Sequence, residues 1–151
     1  MRALSDAGSL RDVIFVATSA HELGSFGIEA FLESHQELAQ SACTWIHFDA
    51  DIGAAQEPGA QFSATDDDLK RQTQAALKRA GTIPVSAAPR GTTLGGESHV
   101  AARHGGRIVA LIGNNALFHL EADRWPEAVD VGDVARFANV FTDVALQLAQ
   151  S

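Results

Sequence analysis

The stretch Arg107-Ile108-Val109-Ala110-Leu111-Ile112 is an almost wholly apolar run with several β-branched side chains. Two further runs of similar length occur earlier in the chain, at Val13 to Thr18 and at Cys43 to Asp49. Continuous apolar runs of this length are typical of strands that are buried on both faces of a sheet. The sequence therefore predicts three buried strands.

Segments with helical periodicity lie around these runs. Ser25 to Gln40 carries apolar residues on one face, with Ser25 as the expected N-cap. A second, acid-rich helix is predicted to start at Thr65 and to stop at Gly81, and an apolar stripe predicts a third helix over Val131 to Ala149. Strands that alternate with helices predict an α/β fold, with a mostly parallel central sheet and helices on both faces.

The remaining segments are predicted to connect these elements. Gly53 to Ser63 and Ala88 to Gly96 are rich in Gly, Ala, Pro and Thr and are predicted to be loops. Ile83 to Ala87 is predicted to add a further strand, although Pro84 removes one donor from its ladder. The chain has 151 residues, of which 46% are hydrophobic, which is typical of one globular domain over residues 1–151.

Charge and cysteine content narrow the classes of function. The formal net charge is −8, and the Lys and Arg residues are scattered, so a nucleic-acid partner is not expected. Cys43 is the single cysteine, so no intrachain disulfide can form. Met1 to Asp12 contains no apolar stretch long enough for a signal peptide, and no segment is long and apolar enough to span a bilayer. These features predict a cytoplasmic protein without a membrane partner, unless a leader has been lost from a longer chain.

Metal-compatible side chains follow the three apolar runs. His21 and Glu22 come after the first run, Asp49 ends the second and is followed by Asp51, and His119 comes after the third. Ligands of open α/β sheets bind outside the carboxyl ends of the strands, so these side chains are expected to converge. A Glu, an Asp and a His together form a mixed oxygen and nitrogen site suited to zinc. In the alternative interpretation, each residue only caps a helix or lies in a solvated loop.

Several other kinds of site are not supported. His21-Glu22 is not part of a zincin helix, because Ser25 stands where the second His of that motif is required. The chain has no Gly-x-Ser-x-Gly elbow of a serine hydrolase. Gly95-Gly96 and Gly105-Gly106 lack both the dinucleotide fingerprint and the Lys of a phosphate loop.

Four motifs together resemble the zinc aminopeptidase and glutamate carboxypeptidase-like family, to which the transferrin receptor is also related. The run from Val13 to Gly27, with its His21-Glu22-Leu23-Gly24 turn, resembles the family's strand followed by Glu-Glu-x-Gly-x-x-Gly. Ile46-His47-Phe48-Asp49 resembles its Ile-Asn-Leu-Asp strand end, and His119 with Asp123 resembles its His-x-x-x-Asp before the last helix. Glu97-Ser98-His99 resembles the family's Ser-Asp-His segment more weakly.

The resemblance implies roles for individual residues. Members of the family bind two zinc ions, so Glu22 would be a ligand of one metal with His119 as its partner. Asp49 would be a ligand of the other metal, with Asp51 as the alternative aligned acid. His21 occupies the position of the catalytic base, where the family has a Glu, and an imidazole differs from a carboxylate in charge and reach.

The resemblance also implies that two of the family's metal ligands are missing from this chain. The family's first ligand His and its bridging Asp precede the strand that corresponds to Val13 to Thr18, where only Met1 to Asp12 stand here. Glu22 and His119 would give one zinc two protein ligands, whereas catalytic zinc usually has three. The chain is therefore expected to bind zinc weakly. Either it is the C-terminal portion of a longer zinc-dependent exopeptidase that cleaves the N-terminal bond of peptides or related small molecules, or it is a stand-alone remnant that has lost catalysis.

The alternative function is a non-catalytic module of the same fold, used for protein interaction or assembly. A sheet that ends early would expose an apolar edge. A homodimer or another protein partner would then be expected to cover that edge.

Overall fold

The computed structural model of the chain describes residues 6, 8, 11–81, 85–88, 92 and 95–150. Within these ranges, four strands form one open sheet in the order β1-β4-β2-β3. The strands are β1 (Trp45–Phe48), β2 (Ala60–Ala64), β3 (Val85–Ala87) and β4 (Ile108–Gly113). β1 runs parallel to β4 and β2 runs parallel to β3, whereas β2 and β4 are antiparallel. The prediction of an α/β chain with a mostly parallel sheet is confirmed.

Helices precede, connect and follow these strands. They are α1 (Phe26–Ser34), α2 (Leu38–Ser41), α3 (Asp67–Ala80), α4 (Ser98–Arg103) and α5 (Val131–Gln150), and a short 3-10 turn (His21–Leu23) comes before α1. None of the helices in the described ranges combines the length and the apolar character needed to cross a membrane.

β4 is the most buried strand and separates two hydrophobic cores. Ile108, Val109 and Leu111 have no exposed surface, and Ala110 is also buried. Successive side chains of a strand point to opposite faces, so Val109 and Leu111 pack in one core while Ile108 and Ala110 pack in the other. Burial of each large aliphatic side chain contributes roughly 1.5–3 kcal/mol to stability.

The two cores place helices on both faces of the sheet. The first core joins the sheet to α3 and α5, with the side chains of Phe62, Leu69, Phe137 and Phe141 among its largest members. The second core joins the other face to α1, α2 and α4 through Ile28, Leu32, Ala39 and Val100. The prediction of helices on both faces is confirmed.

The prediction of a first strand is wrong, because Val13 to Thr18 forms no strand. Val13, Ile14 and Phe15 are 42%, 60% and 59% exposed. No backbone hydrogen bond joins Val13 to Ala17 to another described residue. A strand needs a neighbouring strand that completes its ladder of hydrogen bonds, and an apolar composition alone does not supply one. The predicted β-α-β unit therefore contains only its helix and its second strand.

Several predicted boundaries also differ. The predicted helix over Ser25 to Gln40 is divided into α1 and α2, and the Ser25 side chain makes no cap hydrogen bond. The loop predicted over Gly53 to Ser63 contains most of β2. Of the strand predicted over Ile83 to Ala87, Val85–Ala87 is observed as β3, while residues 82–84 lie outside the described ranges, as do 89–91, 93 and 94 of the second predicted loop.

Asp66, rather than Thr65, caps α3 and also joins the helix to the sheet. Its carboxylate accepts a hydrogen bond from the Leu69 amide at 2.9 Å and two from the Arg107 guanidinium at 2.7 and 3.2 Å. Burial, the largest single influence, raises the pKa of Asp66, but the hydrogen bonds from Arg107 and Leu69 and the Arg107 charge together lower it below its ordinary value. The carboxylate therefore stabilises the start of α3 in its ionised form.

The charge of Asp66 predicts a pH-dependent contribution to stability. Asp66→Asn keeps an oxygen for the Leu69 amide but removes the charge that faces Arg107. We expect the wild type to be more stable than this variant by about 1 kcal/mol near neutral pH, because the pair is partly exposed. A lowered folded-state pKa contributes stability above the ordinary carboxyl pKa and loses it as the pH falls through the lowered value, so the difference should vanish in acid.

Urea unfolding at a series of pH values measures this difference. Asp143→Asn, which changes an acid on α5, is the control and should change stability little at any pH. A wild-type advantage over Asp66→Asn that stays constant or grows in acid would contradict the assignment.

Candidate functional site

The carboxyl ends of β1 and β4 meet at one rim of the sheet. The two strands are parallel, and Phe48 pairs with Leu111. The Asp49 amide donates a hydrogen bond to the Leu111 carbonyl at 2.9 Å, which extends the pairing one residue beyond β1. Asp49 is therefore held beside the end of β4, from which the chain leads to His119.

The 3-10 turn His21–Leu23 brings His21 and Glu22 to the same rim. The backbone is left-handed on both sides of the turn, at Ala20 (φ 59°) and Gly24 (φ 95°). Gly27, in the first turn of α1, lies directly against the Ser19 backbone and donates its amide hydrogen bond to the Ser19 carbonyl at 3.1 Å. A side chain at Gly27 would collide with Ser19, so this glycine allows the segment before the turn to pack on α1.

Glu22 and His119, which are distant in the sequence, form the central pair of the site. Glu22 Oε1 lies 3.5 Å from His119 Nε2, and the two side chains are 74% and 63% exposed. The His119 ring stacks on the Phe118 ring with centroids 4.0 Å apart, and His119 has a left-handed backbone (φ 62°). The structure therefore brings together two of the residues that the sequence indicated as metal ligands, and their role as ligands stays a prediction.

The pair fits two positions of a tetrahedral zinc site. Zinc bonds of about 2.0–2.1 Å at the tetrahedral angle separate neighbouring ligand atoms by about 3.3 Å, close to the observed 3.5 Å between the Glu22 oxygen and the His119 nitrogen. Carboxylate oxygen and imidazole nitrogen are both ligands that zinc accepts. In the part of the chain that the structure describes, no three His, Cys, Asp or Glu side chains form a group able to hold a metal ion.

Asp49 lies at the same rim but has different neighbours. Its carboxylate Oδ2 lies 3.7 Å from His47 Nε2, which is too long for a hydrogen bond but close enough for attraction between charges, and its side chain is 13% exposed. His47 is the largest cause of a lowered pKa of Asp49; burial opposes it, while the Ala50 amide and the attraction of His21 act in the same direction. Asp49 is therefore kept ionised although it is mostly buried.

His21 faces a carboxylate that sequence reasoning did not assign to it. Its Nδ1 lies 3.9 Å from Glu97 Oε1, and the Thr18 hydroxyl donates a hydrogen bond to the other oxygen of Glu97. Because His21 also contributes to the attraction that lowers the pKa of Asp49, the imidazole lies within the field of two carboxylates.

Asp51, the alternative acid to Asp49, points towards a neighbouring cavity. Its carboxylate accepts a hydrogen bond from the Asn115 amide at 2.8 Å. The cavity has a volume of about 410 Å³ and includes His119 in its wall. Its other walls combine apolar and polar side chains in nearly equal parts and include Asp51, Ile52, Phe118, Leu120, Asp123 and Val129.

Two members of the site were missed by sequence reasoning. His47 and Asp49 are two residues apart, and this spacing places two side chains on the same face of an extended segment. The spacing alone therefore could have indicated that the two side chains are neighbours. Glu97 had only the weak likeness of Glu97-Ser98-His99 to the Ser-Asp-His segment, which gave it no role. Its neighbours Thr18 and His21 come from a segment that only the tertiary fold brings to it. No family model and no curated protein matches the sequence.

A test of the rim geometry uses Gly96, whose backbone lies against the Asp49 carboxylate. A Cβ at Gly96 would overlap the carboxylate of Asp49, and φ is +52°. Gly96→Ala should therefore be less stable than the wild type for two reasons: backbone strain and displacement of the Asp49 side chain. The matched control is Gly81→Ala, at a similar φ of +59° with no atom within 4 Å of the added Cβ.

We expect Gly81→Ala to cost about 1–2 kcal/mol from strain alone, and Gly96→Ala to cost about 1–3 kcal/mol more. The free energies of unfolding of the two variants and the wild type measure both effects. Equal costs for the two substitutions would show that Asp49 does not occupy the space beside Gly96.

Proposed function

We propose that the chain is a zinc-dependent, aminopeptidase-like exopeptidase domain that acts on the N-terminal bond of peptides. Glu22 and His119 would bind one zinc ion, and Asp49 would contribute to a second. Bound zinc would supply the chemistry of this class, because it lowers the pKa of a bound water and polarises a carbonyl.

The 3.5 Å separation of Glu22 Oε1 and His119 Nε2 is the observation that carries the proposal. Both side chains are exposed, so neither is required by the hydrophobic core. Their separation is longer than the usual N–H···O hydrogen bond of about 2.7–3.2 Å. A single cation between the two atoms accounts for their types, their spacing and their access to solvent.

The surroundings of the pair also favour this chemistry. Asp49 remains ionised at the rim and adds negative charge, which favours a cation. His21, next to Glu22 in the chain, stands in the base position implied by the resemblance, and a neutral imidazole can accept a proton. A third protein ligand, as catalytic zinc usually has, would have to come from a residue other than these.

A non-catalytic module for protein interaction is the second candidate function. Val13, Ile14 and Phe15 are large apolar residues and are 42–60% exposed in succession. Exposed apolar patches often mark contacts with other proteins, and His21 in place of the usual Glu favours loss of catalysis. The zinc experiment below separates the two candidates.

The proposal predicts weak zinc binding that depends on Glu22 and His119. Competition with a chromophoric zinc indicator should give one site per chain, in the micromolar range or weaker because only two protein ligands are present. Glu22→Gln and His119→Asn should each weaken this binding at least about tenfold, and the double variant should be little worse than either single one. Cleavage of aminoacyl chromogenic substrates, if detected, should be lost in Glu22→Gln.

The chain offers a matched control pair of the same residue types. Glu29 Oε2 lies 3.9 Å from His104 Nε2, but Arg103 also pairs with Glu29 and supplies a competing positive charge. Glu29→Gln and His104→Asn should leave zinc binding unchanged. Zinc binding that is absent, or that survives loss of both Glu22 and His119, would overturn the proposal in favour of the non-catalytic module.

A further inference from the structure

We infer that the cavity beside His119 selects a basic side chain, that of Arg or Lys, on the N-terminal residue of the substrate. The inference rests on the proposed function and deepens it, because it names the class of peptide that the exopeptidase site accepts. Asp51 and Asp123 are the specificity-determining residues, since they place two carboxylates in the wall of the cavity.

The cavity adjoins the proposed zinc pair. His119 belongs both to the pair with Glu22 and to the wall of the cavity. A substrate that presents its first peptide bond to this pair therefore has its N-terminal side chain within reach of the cavity. The volume of about 410 Å³ lies within the range of about 300–1,000 Å³ that is usual for small-molecule sites. The space is large enough for one long side chain.

The loop that carries Asp51 is held on two sides. A Cβ at Gly113, the last residue of β4, would overlap the Asp51 backbone, so the loop lies directly against the end of that strand. The Asp130 amide, just before α5, donates a hydrogen bond to the Gly53 carbonyl at 2.8 Å. The Asp51 carboxylate accepts a further hydrogen bond from the Asn115 amide at 2.8 Å. The fold therefore positions this carboxylate before any ligand binds.

The wall suits both parts of a basic side chain. Ile52, Phe118 and Leu120 offer apolar surface to the aliphatic stem. Asp51 and Asp123 offer carboxylates to the charged head, which a guanidinium or ammonium group can pair with. No Lys or Arg is among the described residues that line the cavity, so none competes with a substrate for these carboxylates. An acidic side chain would be repelled, and an apolar one would leave both acids unpaired.

The test is an NMR titration of the ¹⁵N-labelled full chain, without metal, with argininamide and with citrulline amide. The two probes share the α-ammonium group and nearly the same shape, but the side chain of citrulline is uncharged. Argininamide should bind at least about fivefold more tightly, as expected for pairing with two partly exposed acids. Its shifts should be confined to the amides of the cavity wall, at residues 50–54, 115–120, 123 and 128–129.

Two charge-removing variants locate the effect. Asp51→Asn keeps an oxygen for the Asn115 amide, and Asn tolerates the left-handed backbone at this position (φ 63°). Asp51→Asn and Asp123→Asn should each weaken argininamide binding by about two- to fivefold and leave citrulline amide binding unchanged. Asp143→Asn, which removes an exposed acid of α5, is the control for net charge and should change neither.

Equal affinity for the two amides, or a preference for argininamide that survives in the double variant, would overturn the inference. The inference and the proposed function can fail separately. A preference for argininamide in a chain that binds no zinc would refute the exopeptidase proposal but leave the cavity's selection of basic side chains intact. Zinc-dependent cleavage that does not distinguish arginyl from citrullyl substrates would refute the selection and leave the proposed function intact.

Discussion

The parallel pairing of β1 with β4 is the constraint on which the rest of the molecule depends. It aligns the carboxyl ends of both strands, and the Asp49-to-Leu111 hydrogen bond continues that alignment beyond the last residue of β1. β4 can occupy this place because its side chains are apolar on both faces and are buried between the two cores. Asp49 and His119 lie at this rim because they follow the carboxyl ends of β1 and β4. His21 and Glu22 follow no strand in the described ranges, and the 3-10 turn reaches the rim through its contacts with Asp49 and His119.

The rim combines acids with imidazoles. Its two acid–imidazole pairs, Glu22 with His119 and Asp49 with His47, differ in their exposure to solvent. Glu22 and His119 are exposed, they pair with each other, and the His119 ring stacks on Phe118, so both are available to a cation from solvent. Asp49 is mostly buried and is kept ionised by its neighbours, chiefly His47. An exposed acid–imidazole pair, together with a mostly buried carboxylate that stays ionised, favours positively charged ligands in a chain whose net charge is already negative.

The sequence was informative where local pattern and tertiary packing agree. The run at residues 107–112 becomes the inner strand β4, and His119, which follows it, lies next to Glu22. Val13 to Thr18 has the same pattern but no partner strand, because ladder formation depends on a neighbour that composition does not reveal. β2 was missed because Gln61 and Ser63 interrupt its apolar residues within a Gly- and Pro-rich segment. Glu97 could not be assigned, since its neighbours are set by the fold alone.

The central claim is that Glu22, in the 3-10 turn before α1, lies next to His119, which follows β4, in the folded chain. The most direct measurement is the nuclear Overhauser effect between the His119 ring protons and the Glu22 side-chain methylenes in metal-free protein in solution. The account predicts a clear cross-peak between these groups, alongside one between the His119 and Phe118 rings. A His119 ring that shows contacts to Phe118 but none to Glu22 would contradict the account.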